Sequence, residues 1–208
     1  MKEIKPVEIK ENLIDLIKNQ WMLVTAGNTE ACNTMTASWG FAGYIWNRPV
    51  AVTVVRPQRY TYQFMEKEDT FSLCFFDEEY RDALKLCGSK SGRDIDKIQA
   101  SGLSVNYTEA APYFEEAKLV LICRKIAVSD IDPSQFIDAD IDKNYPNKDY
   151  HRSYTGEILK VLNLINLIKG SFKSLNQSVK LKLPFYSSAS IEKAALVTAD
   201  DYRYKKRS

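Results

Sequence analysis

The sequence has a single histidine, His151, and its four cysteines, Cys32, Cys74, Cys87 and Cys123, form no CxxC pair. A zinc site needs several soft ligands at close spacing, so no metal is expected. One histidine also leaves little scope for a Cys-His protease or transferase. Neither GxGxxG nor GxxxxGK[ST] occurs, which excludes a dinucleotide-binding Rossmann unit and a Walker loop. No run approaches the roughly 18 apolar residues that cross a bilayer. Met1-Lys2-Glu3-Ile4-Lys5-Pro6 carries no apolar signal-peptide core. Charge of one sign is missing too: 29 basic against 27 acidic residues leave +2, too little to attract nucleic acid in bulk. The expectation is a cytoplasmic protein with no nucleic-acid or membrane partner and no structural disulfide.

What remains is ordinary globular material. At 208 residues and 45% hydrophobic, the chain can bury the core of one domain, with room for an appendage. Ile9, Leu13, Leu16 and Ile17 fall at helical spacing and predict a helix around residues 9 to 19. Residues 21 to 27 read as a strand ending at a Gly-Asn turn, with Thr34 to Trp39 as its antiparallel partner. A loop through Gly40, Gly43 and Trp46-Asn47-Arg48-Pro49 leads into a β-branched strand over 50 to 55. Helices are expected over 61 to 68 and 78 to 86, strands over 71 to 76, 118 to 128 and 156 to 161. Residues 87 to 94 read as a loop closed by glycines, 94 to 100 as a helical turn, and 130 to 150 as irregular. Short strands with interspersed helices and no βαβ rhythm give a mainly β fold with α excursions, an antiparallel barrel rather than a doubly wound sheet.

Four constellations carry chemistry. In Asn33-Thr34-Met35-Thr36-Ala37-Ser38-Trp39, Thr34, Thr36 and Ser38 alternate with apolar residues, so a strand puts hydroxyls on one face. Such a face suits the edge of a heteroaromatic ring, or it is simply a half-buried Thr-rich strand. In Arg56-Pro57-Gln58-Arg59-Tyr60-Thr61, two guanidiniums and hydroxyls at a strand's end could hold a phosphate, helped by a helix N-terminus. The alternative is a strand-to-helix turn with solvated arginines and Thr61 as N-cap. Cys87-Gly88-Ser89-Lys90-Ser91-Gly92-Arg93-Asp94 offers donors and positive charge on a flexible backbone, or is an exposed polar loop. Cationic neighbours there could lower the Cys87 thiol pKa. His151, in Asp149-Tyr150-His151-Arg152, could donate to a cofactor or stabilise negative charge on one, or sit in a surface loop.

Taken in order, these segments, together with Trp46-Asn47-Arg48-Pro49 and Phe75-Phe76-Asp77, resemble the flavin reductase-like, flavoredoxin-type family of FMN-binding split barrels over roughly residues 7 to 161. The resemblance implies a split β-barrel domain over 1–161, a homodimer, and FMN bound near the subunit interface. It places Asn33, Thr34, Met35, Thr36, Ala37 and Ser38 along the isoalloxazine edge. It places Arg56, Gln58, Arg59, Tyr60 and Thr61 at the ribityl phosphate, with Lys90 and Ser91 assisting, and His151 near the ring or nicotinamide side. Residues 162–208 extend beyond the family's usual end, as a C-terminal extension of uncertain fold and role.

The implied activity is an NAD(P)H-dependent flavin reductase, with NADH or NADPH delivering hydride to FMN. Lacking GxGxxG, the chain would hold a nicotinamide by stacking on the flavin. No acid-base pair is required of the protein, with His151 the one possible catalytic side chain. The rival reading is an electron carrier reduced by a redox partner protein, without nicotinamide activity. A third, an adaptor using the basic end Arg203 to Arg207, competes with an ordinary solvated terminus.

Overall fold

The computed structural model describes residues 1–164. Their strands are β1 (Lys2–Ile4), β2 (Met22–Gly27), β3 (Cys32–Ala37), β4 (Gly40–Ile45), β5 (Arg48–Val55), β6 (Thr70–Phe75), β7 (Val105–Asn106), β8 (Tyr113–Phe114), β9 (Leu119–Asp130) and β10 (Arg152–Asn163). The helices are α1 (Leu13–Asp15, continuing as a π turn over Leu16–Gln20), α2 (Tyr60–Lys67), α3 (Arg81–Ser89) and α4 (Lys97–Ser101). The fold is mainly β with α excursions.

β7 and β8 pair with each other, and the remaining strands form one antiparallel sheet in the order β3-β2-β6-β9-β10-β5-β4, with β1 along the far end of β10. β3 and β4 therefore stand at opposite ends of the hydrogen-bonded path. Yet Ser38 and Trp39 alone separate them in sequence, a link that spans about 10 Å at most. The sheet must curl until its two end strands nearly meet, without a ladder between them. That open seam is the split of a split barrel, and it leaves one edge of β3 without a strand partner among the described residues.

Burial on both sheet faces explains the unbroken apolar runs in the middle strands. Met22, Val24 and Ala26 of β2 pack with Phe71, Leu73 and Phe75 of β6 and Leu119 and Leu121 of β9. The alternate residues Leu23, Cys74, Val120 and Ile122 face the other way, against Leu84 and Cys87 of α3 and Phe114 of β8.

Several expectations need correcting. Residues 40–45 form a strand rather than a loop. Its hairpin to β5 turns through Trp46 and Asn47, both left-handed at φ 53° and 57°, the two-residue geometry that usually recruits glycine. The N-terminal helix starts only after Asn12, whose side chain caps it by accepting from the Ile14 and Asp15 amides. α3 runs on through Cys87, Gly88 and Ser89, so Cys87 is a core residue and not the start of a polar loop. Burial pushes its thiol pKa up, which removes the basis for a nucleophile. Within 130–150 lie two 3-10 turns, Pro133–Gln135 and Ala139–Asn144. β10 continues to Asn163, two residues beyond residue 161. The stretch from Ile165 onward, including the basic end, lies outside the described residues.

Candidate functional site

A cleft of about 290 Å³ opens at the seam, bounded on one side by Met35 to Trp39 and on the other by Val54 and Arg56, with Arg59, Gly88 and His151 closing it. The end of β3, Met35 to Ala37, supplies its wall, but not through a row of hydroxyls. The Thr34 hydroxyl is buried 2.9 Å from that of Thr25 and 3.3 Å from the Val24 carbonyl. The Thr36 hydroxyl donates to the Leu84 carbonyl of α3. Asn33 is buried away from the cleft and donates to the Thr61 hydroxyl at 2.7 Å, tying β3 to α2. Alternation predicts which side chains share a face, not whether the fold has already satisfied them. The donors and acceptors left for a ring are backbone groups on the unpaired edge of β3, and Ser38, which is exposed.

Arg56 and Arg59 bracket the turn at the end of β5, where Pro57 presets the chain and the Arg59 amide donates to the Arg56 carbonyl at 3.0 Å. The two arginines then diverge. Arg56 is bound to Asp149 at 2.6 Å, donates to the Asn144 carbonyl and stacks over the Tyr145 ring. Gln58 also donates to Asp149. These contacts fasten the end of the 130–150 segment to the turn after β5, and Arg56 still lines the cleft.

His151 is buried in an aromatic cluster, its ring 5.1 Å from that of Trp39 and its Nδ1 2.9 Å from the Tyr145 hydroxyl. Burial, reinforced by the Arg56 charge and opposed by Asp149, pulls its pKa down to about 4. The imidazole is therefore neutral at physiological pH, and Nε2 is the nitrogen left for the cleft.

Arg59 turns to the other end of the cleft. Its Nη1 donates to the Gly88 carbonyl at 2.9 Å, and burial together with Arg56 lowers its pKa. Beside it Lys97 is almost wholly buried, 4% exposed, with Nζ donating to the Cys87 carbonyl at 3.1 Å. Burial and the Arg59 charge bring its pKa down to about 8. Neither cation has a carboxylate partner among the described residues. Arg59 and Lys97 line a smaller hollow of about 180 Å³ with Gln58, Tyr60, Ser89, Lys90 and Ser91. A buried lysine beside a half-buried arginine, with no carboxylate partner among the described residues, is costly. They mark a place shaped for an anion.

The sequence reading missed Lys97. Asp96 caps α4 by accepting from the Ile98 and Gln99 amides, which puts Lys97 at the first helical position. Nothing in a five-residue helix signals that its lysine points inward. Tyr60 packs under the Arg93 guanidinium, and the Thr61 hydroxyl is committed to Asn33. Gly92 passes so close that a Cβ there would lie 2.1 Å from Asn33 Oδ1, so the loop needs glycine to lie against β3. Among the described residues, no cluster of three His, Cys, Asp or Glu side chains could hold a metal, and no helix is long and apolar enough to cross a membrane.

A model of the flavin reductase like domain matches residues 15–161. The chain belongs to the flavin reductase-like family. Solved structures with the same fold include the FMN-binding domain of a flavin reductases-like enzyme from Shewanella baltica OS155, 17% identical, with TM-score 0.56 over 77% of this chain and 75% of that one. Flavoredoxin from Methanosarcina acetivorans is 22% identical, with TM-score 0.55 over 77% and 76%. An NADH:FAD oxidoreductase of Streptomyces globisporus, in complex with NAD and FAD fragments, is 16% identical, with TM-score 0.52 over 69% and 74%. At these identities the likeness concerns the fold. No curated protein sequence matches the chain. In this flavin reductase-like domain, both the cleft and the cationic hollow fall within the matched residues.

Proposed function

We propose that the protein is an FMN-binding oxidoreductase, an NAD(P)H-dependent flavin reductase that passes electrons through bound FMN. The observation that carries this reading is the pair Arg59 and Lys97, half-buried and buried, with no carboxylate partner among the described residues, beside a cleft walled by the edge of β3 that has no strand partner among them. A phosphate supplies the missing charge, and a flat polar ring suits the backbone donors and acceptors of Met35 to Ser38. The residues present fit FMN.

Bound FMN supplies hydride acceptance from NADH or NADPH and release of electrons to an acceptor. The chain's own part is to bind, orient and tune. Arg59 and Lys97, with Lys90 and Ser91, hold the phosphate end. Backbone donors along β3 favour negative charge on the ring edge facing them. His151, neutral and fixed by Tyr145, offers Nε2 to the cleft without adding positive charge. Trp39 and the 130–150 segment, fastened by Arg56 and Gln58 to Asp149, limit water at that side.

We further propose a cytoplasmic homodimer whose contact includes the face of β4 that carries Phe41 and Ile45, both exposed. Large apolar side chains exposed on one face of an end strand are a surface that association would cover. The flavin domain comprises residues 1–161 together with the end of β10. The exposed Trp39 at the cleft rim also supports a second reading, an electron carrier reduced by a partner protein.

The absorption spectrum of the purified protein, with oxidised-flavin bands expected, tests the cofactor. Steady-state oxidation of NADH and NADPH with added FMN tests the activity. Flavin bands without turnover of either nucleotide would favour the carrier, and a protein that takes up no flavin would remove both readings.

A further inference from the structure

We infer that a second hollow, between Trp21 and α3, takes the adenosine diphosphate end of a dinucleotide, with the Trp21 indole as the platform for its base. The inference rests on the flavin reading above and adds where such a unit lies. Three observations carry it. First, this hollow, about 480 Å³, is continuous with the cleft, because Thr36, Ala37, Ser38 and Gly88 line both. A ligand with one end in the cleft therefore reaches it directly. Second, the Trp21 backbone sits at φ 66° and ψ 171°, a region almost reserved for glycine. Strain of this kind persists only where the surroundings over-determine it, and it gathers at ligand sites. Arg81 does the holding here. Its guanidinium lies over the indole, 4.4 Å from the ring centroid, and donates to the Asn19 and Gln20 carbonyls at 2.9 and 3.1 Å. The ring is thus fixed but only half-buried. Arg81 does not line the hollow, so a ligand meets the indole surface that the guanidinium leaves free. Third, the rest of the lining has two characters: Ala37 and Leu84 are apolar, whereas Ser38, Ser89 and Lys85 are exposed donors.

That combination decides the class of ligand. A purine base presents a π-face that stacks on an aromatic side chain. The diphosphate beside it needs hydroxyl donors and a cation. Lys85 is available for this, because its pairing with Asp82 at 3.0 Å joins two exposed residues on one helix face and is worth little. A flat apolar molecule would use the indole and leave Lys85 and the serines idle. NADH and FAD both carry the adenosine diphosphate unit, and the chain has no GxGxxG turn to hold it elsewhere.

The probe is ADP, titrated calorimetrically into the full-length protein. Wild type should bind it, Trp21→Leu about tenfold more weakly, and Trp21→Phe nearly as wild type, since it keeps a ring. Lys85→Glu, which changes only an exposed side chain, should also weaken ADP and keeps the test decisive if thermal melting shows Trp21→Leu unfolded. Flavin-fluorescence titration should give the same FMN dissociation constant for all of them. Two further arms separate the sources of the unit. ADP that competes with NADH, together with a KM for NADH raised about tenfold in Trp21→Leu, assigns the hollow to the nicotinamide nucleotide. FAD bound more tightly than FMN by flavin-stripped wild type, with the difference lost in Trp21→Leu, assigns it to the flavin. A protein that binds FMN but not ADP overturns the inference and leaves the flavin reading standing. So do folded Trp21→Leu and Lys85→Glu variants that bind ADP as wild type does. ADP bound through Trp21 by a protein that takes up no flavin upholds the hollow and removes the flavin reading.

Discussion

Acid should destabilise this protein well above the pH at which its carboxylates protonate, and His151 is the reason. Its pKa is held near 4, against an ordinary value of 6.5. Between those values the unfolded chain binds a proton that the folded chain refuses, so stability falls as pH drops. At about 1.36 kcal/mol per pH unit, the loss from pH 6.5 to 4 is about 3 kcal/mol, a large part of a typical domain's stability. Above pH 7 this group contributes no slope. The charged groups facing the ring are Arg56, which pushes in the same direction, and Asp149, which opposes it; the Tyr145 phenol stays neutral throughout, its own pKa raised by burial. Asp149, Asp130, Asp142 and Glu157 are held below their usual range by arginine and lysine contacts. Their stabilisation is lost only at lower pH, and it largely cancels between wild type and a His151→Gln variant. Urea unfolding at pH 7, 5.5 and 4.5 should therefore give a steep decline in wild type and a shallow one in the variant. Because the sequence has one histidine, its ring proton signals in NMR need no assignment and report the midpoint directly. A midpoint near 6.5, or parallel pH profiles for the two proteins, would refute the buried, neutral imidazole.

Arg59→Ala should weaken FMN binding by about 1.5–3 kcal/mol, roughly ten- to 150-fold, as expected for losing a charged hydrogen-bond donor to phosphate; an unchanged dissociation constant in a fluorescence titration would move the phosphate elsewhere. Thr61→Val leaves the buried Asn33 amide without its 2.7 Å acceptor and should cost about 1–3 kcal/mol in urea unfolding, whereas a loss within error would mean the β3–α2 tie adds nothing. Phe41→Asp places a charge on the outer side of β4 and should convert the proposed dimer to monomer in sedimentation. A variant that stays dimeric, or a monomeric wild type, sinks that interface.

Most of the barrel was legible because its strands announce themselves through β-branched and aromatic runs bounded by turn residues, as in Pro49 to Val55 and Phe71 to Phe76. β4 escaped because both cues failed together. Glycines at 40 and 43 dilute the strand signal, and Trp46-Asn47 makes a tight left-handed turn without glycine. The site was legible in outline only, since pattern locates side chains on faces while topology decides which groups are left over. Thr34 and Thr36 lie on one face as the alternation requires, yet each hydroxyl is consumed inside the fold. What makes the same strand fit to meet a ring is its place at the end of the pairing order, which no local pattern encodes. The two arginines show the same principle. They stand three residues apart in one motif, but Asp149, ninety residues on, claims Arg56 and leaves Arg59 beside Lys97. A single substitution distinguishes the two roles. Removing Arg56 should unfasten the 130–150 segment and raise the His151 pKa, whereas removing Arg59 should leave that pKa in place and strike the anion site alone.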